Sequence, residues 1–208
     1  MAPAEPVRRL GRPPSTVDGR TVPERLVSAA LRLFAEKGFE GTSVQDVVTA
    51  AGVTKGAMYH YFGSKEDLLH EIYARVLRMQ MERLERVAAQ DLPIAERVHA
   101  AATDVVATTI ENIESATIFF RSLHQLGEAQ QRAVRRDRRR YHELFRSMVV
   151  AGQEAGAFRA EVDPELAVDY FFGSVHHLPM WWNPRGRLSG AEVGRSFADL
   201  FLAGITAG

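Results

Sequence analysis

The chain has 208 residues, 26 basic against 26 acidic side chains, and no cysteine. This excludes disulfides, Cys-ligated zinc and a Cys nucleophile, and suits a reducing cytoplasm, the expected location. A hydrophobic share of 46% with 25% charged residues is ordinary for a soluble globular protein; with no net charge, any surface for nucleic acid must be local.

No run of about 18 apolar residues is present, so no membrane span is expected. Arg8, Arg9 and Arg12 are not followed by an apolar run and cleavage site, so no signal peptide is expected either. Residues 1–20 are rich in proline and lack apolar periodicity, which reads as a flexible basic arm. Within it Gly11-Arg12-Pro13 is similar to the core of a minor-groove AT-hook; a solvated tail is the alternative.

A first helix starts at a capping box made by Thr21 and Glu24, with Pro23 in its first turn, and stops at Gly38. Leu26, Val27, Ala30, Phe34 and Ala35 give its apolar face. A second, short helix is expected from Thr42, paired with Gln45 as another capping box, to Gly52. Thr54 caps a third running to about Phe62, and Ser64 caps a fourth that continues to about Ala89. Further helices are predicted over 93–112, 115–125, 128–155 and 164–180, with a loop at 181–186 and a last helix, capped by Ser189 and Glu192, to about Thr206. No segment alternates with period 2, so the fold class is all-α, with about nine helices.

Two short helices joined by a glycine-containing turn and preceded by a supporting helix form a helix-turn-helix unit, expected over 21–68. Its second helix must pack one face inward and present its leading end to a major groove. In VTKGAMYHYF (53–62), Met58 and Phe62 form the inward stripe. Thr54, Lys55, Gly56, Ala57, Tyr59, His60 and Tyr61 are left outside or at the edges, and Gly56 and Ala57 are small enough for close approach by DNA. His60 reads equally as a base reader or a packing residue. Lys65 opens the fourth helix, where a cation is unfavourable unless an anion is near.

The segment FAEKGFEGTSVQDVVTAAGVTKGAMYHYFGSKEDLL (34–69) resembles the DNA-binding domain of the tetracycline-repressor (TetR/AcrR) family. The resemblance rests on Phe34, Gly38, Thr42, Val47, Ala51-Gly52-Val53, Tyr59, Phe62, Lys65 and Leu68. It implies a homodimer that reads a near-palindromic double-stranded operator. It also implies base contacts from Lys55, Gly56 and Ala57, and phosphate contacts from Thr42, Tyr59, Tyr61 and Lys65.

Residues 69–208 are expected to bind an effector and to dimerise. The last helix carries an apolar stripe of Val193, Phe197, Leu200, Phe201 and Ile205, and the preceding one is apolar almost all round. A four-helix dimer interface from these two helices is the expectation, with a large monomer core as the alternative. Phe119, Phe120, His124, Met148, Phe158, His176, Met180, Trp181 and Trp182 are pocket candidates or ordinary core. The segment 181–205 is similar to the C-terminal part of a TetR-family subset that includes regulators of fatty-acid and steroid-ring catabolism, which implies an acyl-CoA effector. The run of Arg132, Arg135, Arg136, Arg138, Arg139 and Arg140 suits CoA phosphates or a solvated face.

Rival readings find less in the residues. No Gly-rich phosphate loop or nucleophile elbow is present, and no cofactor is expected. His176 and His177 are adjacent, and Glu111 and Glu114 lack Glu-x-x-His partners, so no metal site and no enzyme is expected. A DNA-binding protein controlled by a protein partner remains the second reading.

Overall fold

The computed structural model describes residues 19–206, so the arm expected over 1–20 lies outside it save for Gly19 and Arg20. Nine helices of seven or more residues occur among the described residues, with one four-residue helix, and no strand. They are α1 (Val22–Lys37), α2 (Val44–Ala51), α3 (Lys55–Tyr61), α4 (Lys65–Ala88), α5 (Ile94–Glu111), α6 (Ile113–Ser122), α7 (Glu128–Glu154), α8 (Pro164–His176), α9 (Leu178–Trp181) and α10 (Gly190–Ile205).

Most helix starts follow the expected caps. Glu24 accepts from the Thr21 N–H at 2.7 Å, Ser64 Oγ from the Asp67 N–H at 3.1 Å, and Ser189 Oγ from the Glu192 N–H at 3.3 Å. α2 is the exception. Its N-cap is Ser43, one residue after the expected Thr42, and the reciprocal partner is Asp46 rather than Gln45. Gln45 bonds Thr49 instead. The helix predicted to run unbroken to Met180 divides at His177, because Pro179 has no N–H to continue the ladder and instead starts α9. α6 follows α5 after Asn112 alone, two residues earlier than expected, and a 3-10 turn (Leu123–Gln125) ends it.

The helices bury two apolar cores. The first is built by α1 to α3 and the leading half of α4, through Leu26, Phe34, Val47, Met58, Leu68 and Ile72. It also takes Tyr73, Ile118 of α6, Leu126 of the α6–α7 connection and Val134 of α7, so packing crosses the boundary expected at residue 68. The second core lies among α5, α7, α8 and α10. Phe145 sits at its centre, its ring stacked parallel to Phe171 at 5.1 Å and within 5.8 Å of Phe201. α4 serves both: Leu68 to Tyr73 pack in the first core and Leu84 in the second. Its 24 residues make a rod of about 36 Å.

α10 packs on α5 closely enough that a Cβ on Gly194 would lie 2.8 Å from the Thr103 carbonyl oxygen. This corrects the expected dimer stripe. Val193, Phe201 and Ile205 are spent inside the chain, and of that stripe Leu200 alone is well exposed, at 74%. α8 divides as its all-round apolarity requires: Phe171, Phe172 and Val175 face the core, whereas Leu166 and Tyr170 face outward.

Candidate nucleic-acid interface and effector cavity

The turn between α2 and α3 is held from two sides. Gly52 takes the left-handed conformation (φ 62°, ψ 41°) that closes α2, a backbone shape that a side chain disfavours. Arg25 of α1 donates to the Ala51 and Gly52 carbonyls at 2.5 and 2.8 Å. α3 then starts at Thr54, whose Oγ1 accepts from the Ala57 N–H at 3.1 Å.

Met58 anchors α3 and is fully buried. Thr54, Lys55, Gly56, Tyr59, His60 and Tyr61 are exposed and Ala57 half-buried. Tyr59 and Tyr61 are 54% and 45% exposed, so neither is a core tyrosine. The His60 and Tyr61 rings meet edge to face at 4.8 Å. A Cβ built on Gly56 would have only the Thr54 hydroxyl nearby, at 3.9 Å, so nothing within the chain requires glycine there.

Two expected phosphate ligands are turned inward. Thr42 is 0% exposed, and its hydroxyl hydrogen is directed at the carbonyls of Leu33 and Gly38. Lys65 donates from Nζ to the Phe39 and Thr42 carbonyls at 2.8 and 2.9 Å and lies 4.1 Å from the Phe39 ring centre. The ammonium at the start of α4 therefore has its oxygens within the chain: they are carbonyls of the α1–α2 turn, not phosphates.

In the other half, α4, α5, α6, α7 and α8 enclose a largely apolar cavity of about 90 Å³. Tyr73 and Leu77 line it from α4, Thr109 from α5, and Phe119 and Phe120 from α6. Arg138, Tyr141 and His142 line it from α7, and Phe172 and His176 from α8. Burial raises the pKa of Tyr73 and of Tyr141, so both keep their hydroxyl protons. Burial first, then Arg138, holds His142 down to about 4; burial, Arg138 and His142 hold His176 down to about 3. Both imidazoles are neutral at physiological pH. The His142 ring stacks on Phe172 at 3.9 Å.

Arg138 and His142 also line a wider, polar groove of about 480 Å³ between α7 and α8, with Arg135, Arg139 and Arg146 and the acids Glu143, Glu165 and Asp169. The rest of the arginine run is engaged elsewhere. Arg132 pairs with Glu128, Arg136 with Asp137, and Arg140 with Glu85 of α4.

Residues 26–72 match the family described as bacterial regulatory proteins, tetR family, and residues 91–205 match the tetracyclin repressor-like C-terminal domain. The chain belongs to the TetR family of transcription regulators. Among curated relatives, the HTH-type transcriptional repressor KstR2 of Rhodococcus jostii is 27% identical over 86% of this chain and 89% of its own. Among solved structures, PfmR of Thermus thermophilus superposes with a TM-score of 0.79 at 31% identity, over 86% of this chain and 97% of its own. AibR, solved with isovaleryl coenzyme A and operator DNA, gives 0.71 at 25%, over 89% and 98%.

For a TetR-family chain, α3 sits where the sequence puts the recognition helix, whereas the pocket is only partly as expected. Phe119, Phe120 and His176 line the cavity. Met148 and Phe158 are buried in the second core, away from it. His124 is exposed beside Gln125, Met180 and Trp181 are exposed, and Trp182 packs at the edge of the second core. Tyr73, Tyr141, His142 and Phe172 were not among the candidates, and Arg138 was one only as part of the arginine run for CoA phosphates. A signal for some of them was present: Arg138 and His142 are one turn apart on α7, as Phe172 and His176 are on α8, so each pair shares a face.

Proposed function

We propose that this regulator binds a near-palindromic duplex as a homodimer through α3, acts as a repressor, and is released by an acyl-CoA-type effector. The observation that carries the DNA reading is α3 itself. Anchored by one buried methionine, it exposes Lys55, Tyr59, His60 and Tyr61 around a glycine that the chain does not need for its own packing. Lys55, Gly56 and Ala57 contact bases; Thr54, Tyr59 and Tyr61 contact phosphates; His60 lies at the edge. The face formed by Leu166, Tyr170, Met180, Trp181 and Leu200 is apolar and exposed in the single chain, and it is the dimer surface of this reading. Trp181 of this face stacks on Phe197 of α10, with ring centres 6.2 Å apart. The protein acts in the cytoplasm and is not an enzyme in this reading.

The effector reading is supported by an apolar cavity opening beside an arginine-lined groove, and by the isovaleryl coenzyme A bound to AibR. Arg135 and Arg139 are the arginines left for phosphates. Selection from a random duplex library tests the DNA reading. It should return an inverted repeat with half-sites about one helical turn apart. Lys55→Ala should lower affinity for it by about 1–3 kcal/mol and relax preference at one base pair. Recovery of no sequence, or an unchanged footprint with Lys55→Ala and Tyr59→Ala, would refute it.

A further inference from the structure

Arg138 is a cation in an apolar place. Its guanidinium borders the inner cavity, and no carboxylate lies within ion-pair distance among the described residues. Its contacts are the ring nitrogens of His176, at 3.1 and 3.4 Å from Nη2, and the face of Phe119, 5.0 Å from its centre. The acids of the outer groove do not reach it: Glu143 pairs with Arg146 at 2.6 Å. Burial works against the Arg138 charge, and the two histidines beside it are neutral, so among the described residues it is the one cation lining the cavity. A buried charge without a counter-charge is costly, and a cavity that keeps one is shaped for an acceptor arriving from outside.

The aromatic partner of Arg138 leads toward the DNA-binding half. Phe119 meets Tyr73 edge to face at 4.8 Å, and the Tyr73 hydroxyl donates to the Ile118 carbonyl at 3.1 Å. Tyr73 and Ile118 are buried members of the first core, the one that seats α3, and Phe119 packs against it. Arg138 thus touches the ligand space on one side and the packing of the DNA-binding unit on the other.

We propose that Arg138 reads the effector: the oxygen of an acyl head group, carboxylate or thioester, accepts the guanidinium's hydrogen bonds and draws it from Phe119, loosening the Phe119–Tyr73–Ile118 contact that steadies the first core. This rests on the effector reading above and deepens it to a head group and a residue. The hydrocarbon end lies in the inner cavity, whose lining is largely apolar. A thioester places its CoA part in the outer groove; a free acid leaves that groove to solvent.

The test uses butyryl-CoA, butyrate and butanol with the full chain, read by calorimetry and by operator release. Wild type binds the acyl compounds about tenfold or more tighter than the alcohol, the value of a charged hydrogen bond. Arg138→Met loses that preference, and Arg138→Lys restores part of it. Phe119→Leu still binds butyryl-CoA but releases less operator. If butyrate binds and butyryl-CoA does not, the source is the free acid; tighter binding of butyryl-CoA identifies the thioester. Equal binding of alcohol and acid by wild type overturns the proposal, even if Arg138→Met fails to fold. So does retention of the preference in Arg138→Met, or full release by Phe119→Leu. Wild type that binds its operator but none of the three compounds overturns it too and leaves the DNA-binding reading standing. Loss of operator binding by wild type instead overturns that earlier reading.

Discussion

The two cores of this chain treat their polar groups differently. In the first, buried or half-buried polar side chains are satisfied from within: Thr42 bonds α1 carbonyls, Lys65 bonds the α1–α2 turn, and Arg25 bonds the turn before α3. What is left unpaired there lies outside, on α3. Beside the second core the unpaired chemistry lies inside, as Arg138 and two neutral histidines around a cavity. A unit that grips an external partner must be rigid within and reactive at its surface. A unit that senses a small molecule must keep its unfinished contacts buried, where a ligand can complete them.

The largest expected effect breaks the second core alone. Phe145→Ala removes the fully buried ring at its centre and should cost about 3–5 kcal/mol. Because α4 is shared by both cores, urea unfolding followed by fluorescence and by circular dichroism should still give one coincident transition, at a lower midpoint. Separate transitions would show that the halves fold independently.

Lys65 sharpens the comparison from the other side. Lys65→Met leaves the Phe39 and Thr42 carbonyls without their ammonium donor and should lower stability by about 1–3 kcal/mol. The salt dependence of DNA binding by the remaining folded protein should stay as in wild type. A slope reduced by about 1 would mean that Lys65 neutralises a phosphate after all.

The remaining test varies pH and concerns the histidines beside the cavity. Each is neutral in the folded chain, with its pKa held at about 4 for His142 and about 3 for His176, and each regains an ordinary value near 6.5 on unfolding. The unfolded chain therefore binds more protons below that value. Their contribution is complete above pH ~6.5 and is lost as the pH falls toward the folded values. Each proton gives a slope of about 1.4 kcal/mol per pH unit. His142→Phe should roughly halve the fall in melting temperature between pH 6.5 and 4.5; an unchanged fall would place the titrating groups elsewhere.

How legible the site was depended on the range of the interactions that form it. α3 could be read directly, because glycine turn, cap and inward stripe fall within eleven residues, Gly52 to Phe62. Thr42 and Lys65 flank that segment, yet their roles were misread. Thr42 looked like a cap and Lys65 like a phosphate ligand, and both are decided by carbonyls that reach them through the fold: Leu33 for Thr42, Phe39 for Lys65. Arg138 was lost in a run of six arginines that nothing local separates. Arg132, Arg136 and Arg140 find acids nearby and Arg135 and Arg139 face the outer groove, while Arg138 turns into the cavity.

By itself the sequence determined the all-helical fold, most of the helix starts and stops, and the recognition helix. Caps, glycine breaks and apolar spacing act over three or four residues and do not wait for the rest of the chain. Tertiary structure alone decided which face of α10 is buried, which residues of five helices meet at the cavity, and which arginine of the α7 run borders it. Those depend on groups as far apart in the chain as Tyr73 and His176, and a helix with apolar residues on two faces cannot announce which of them will meet its own core.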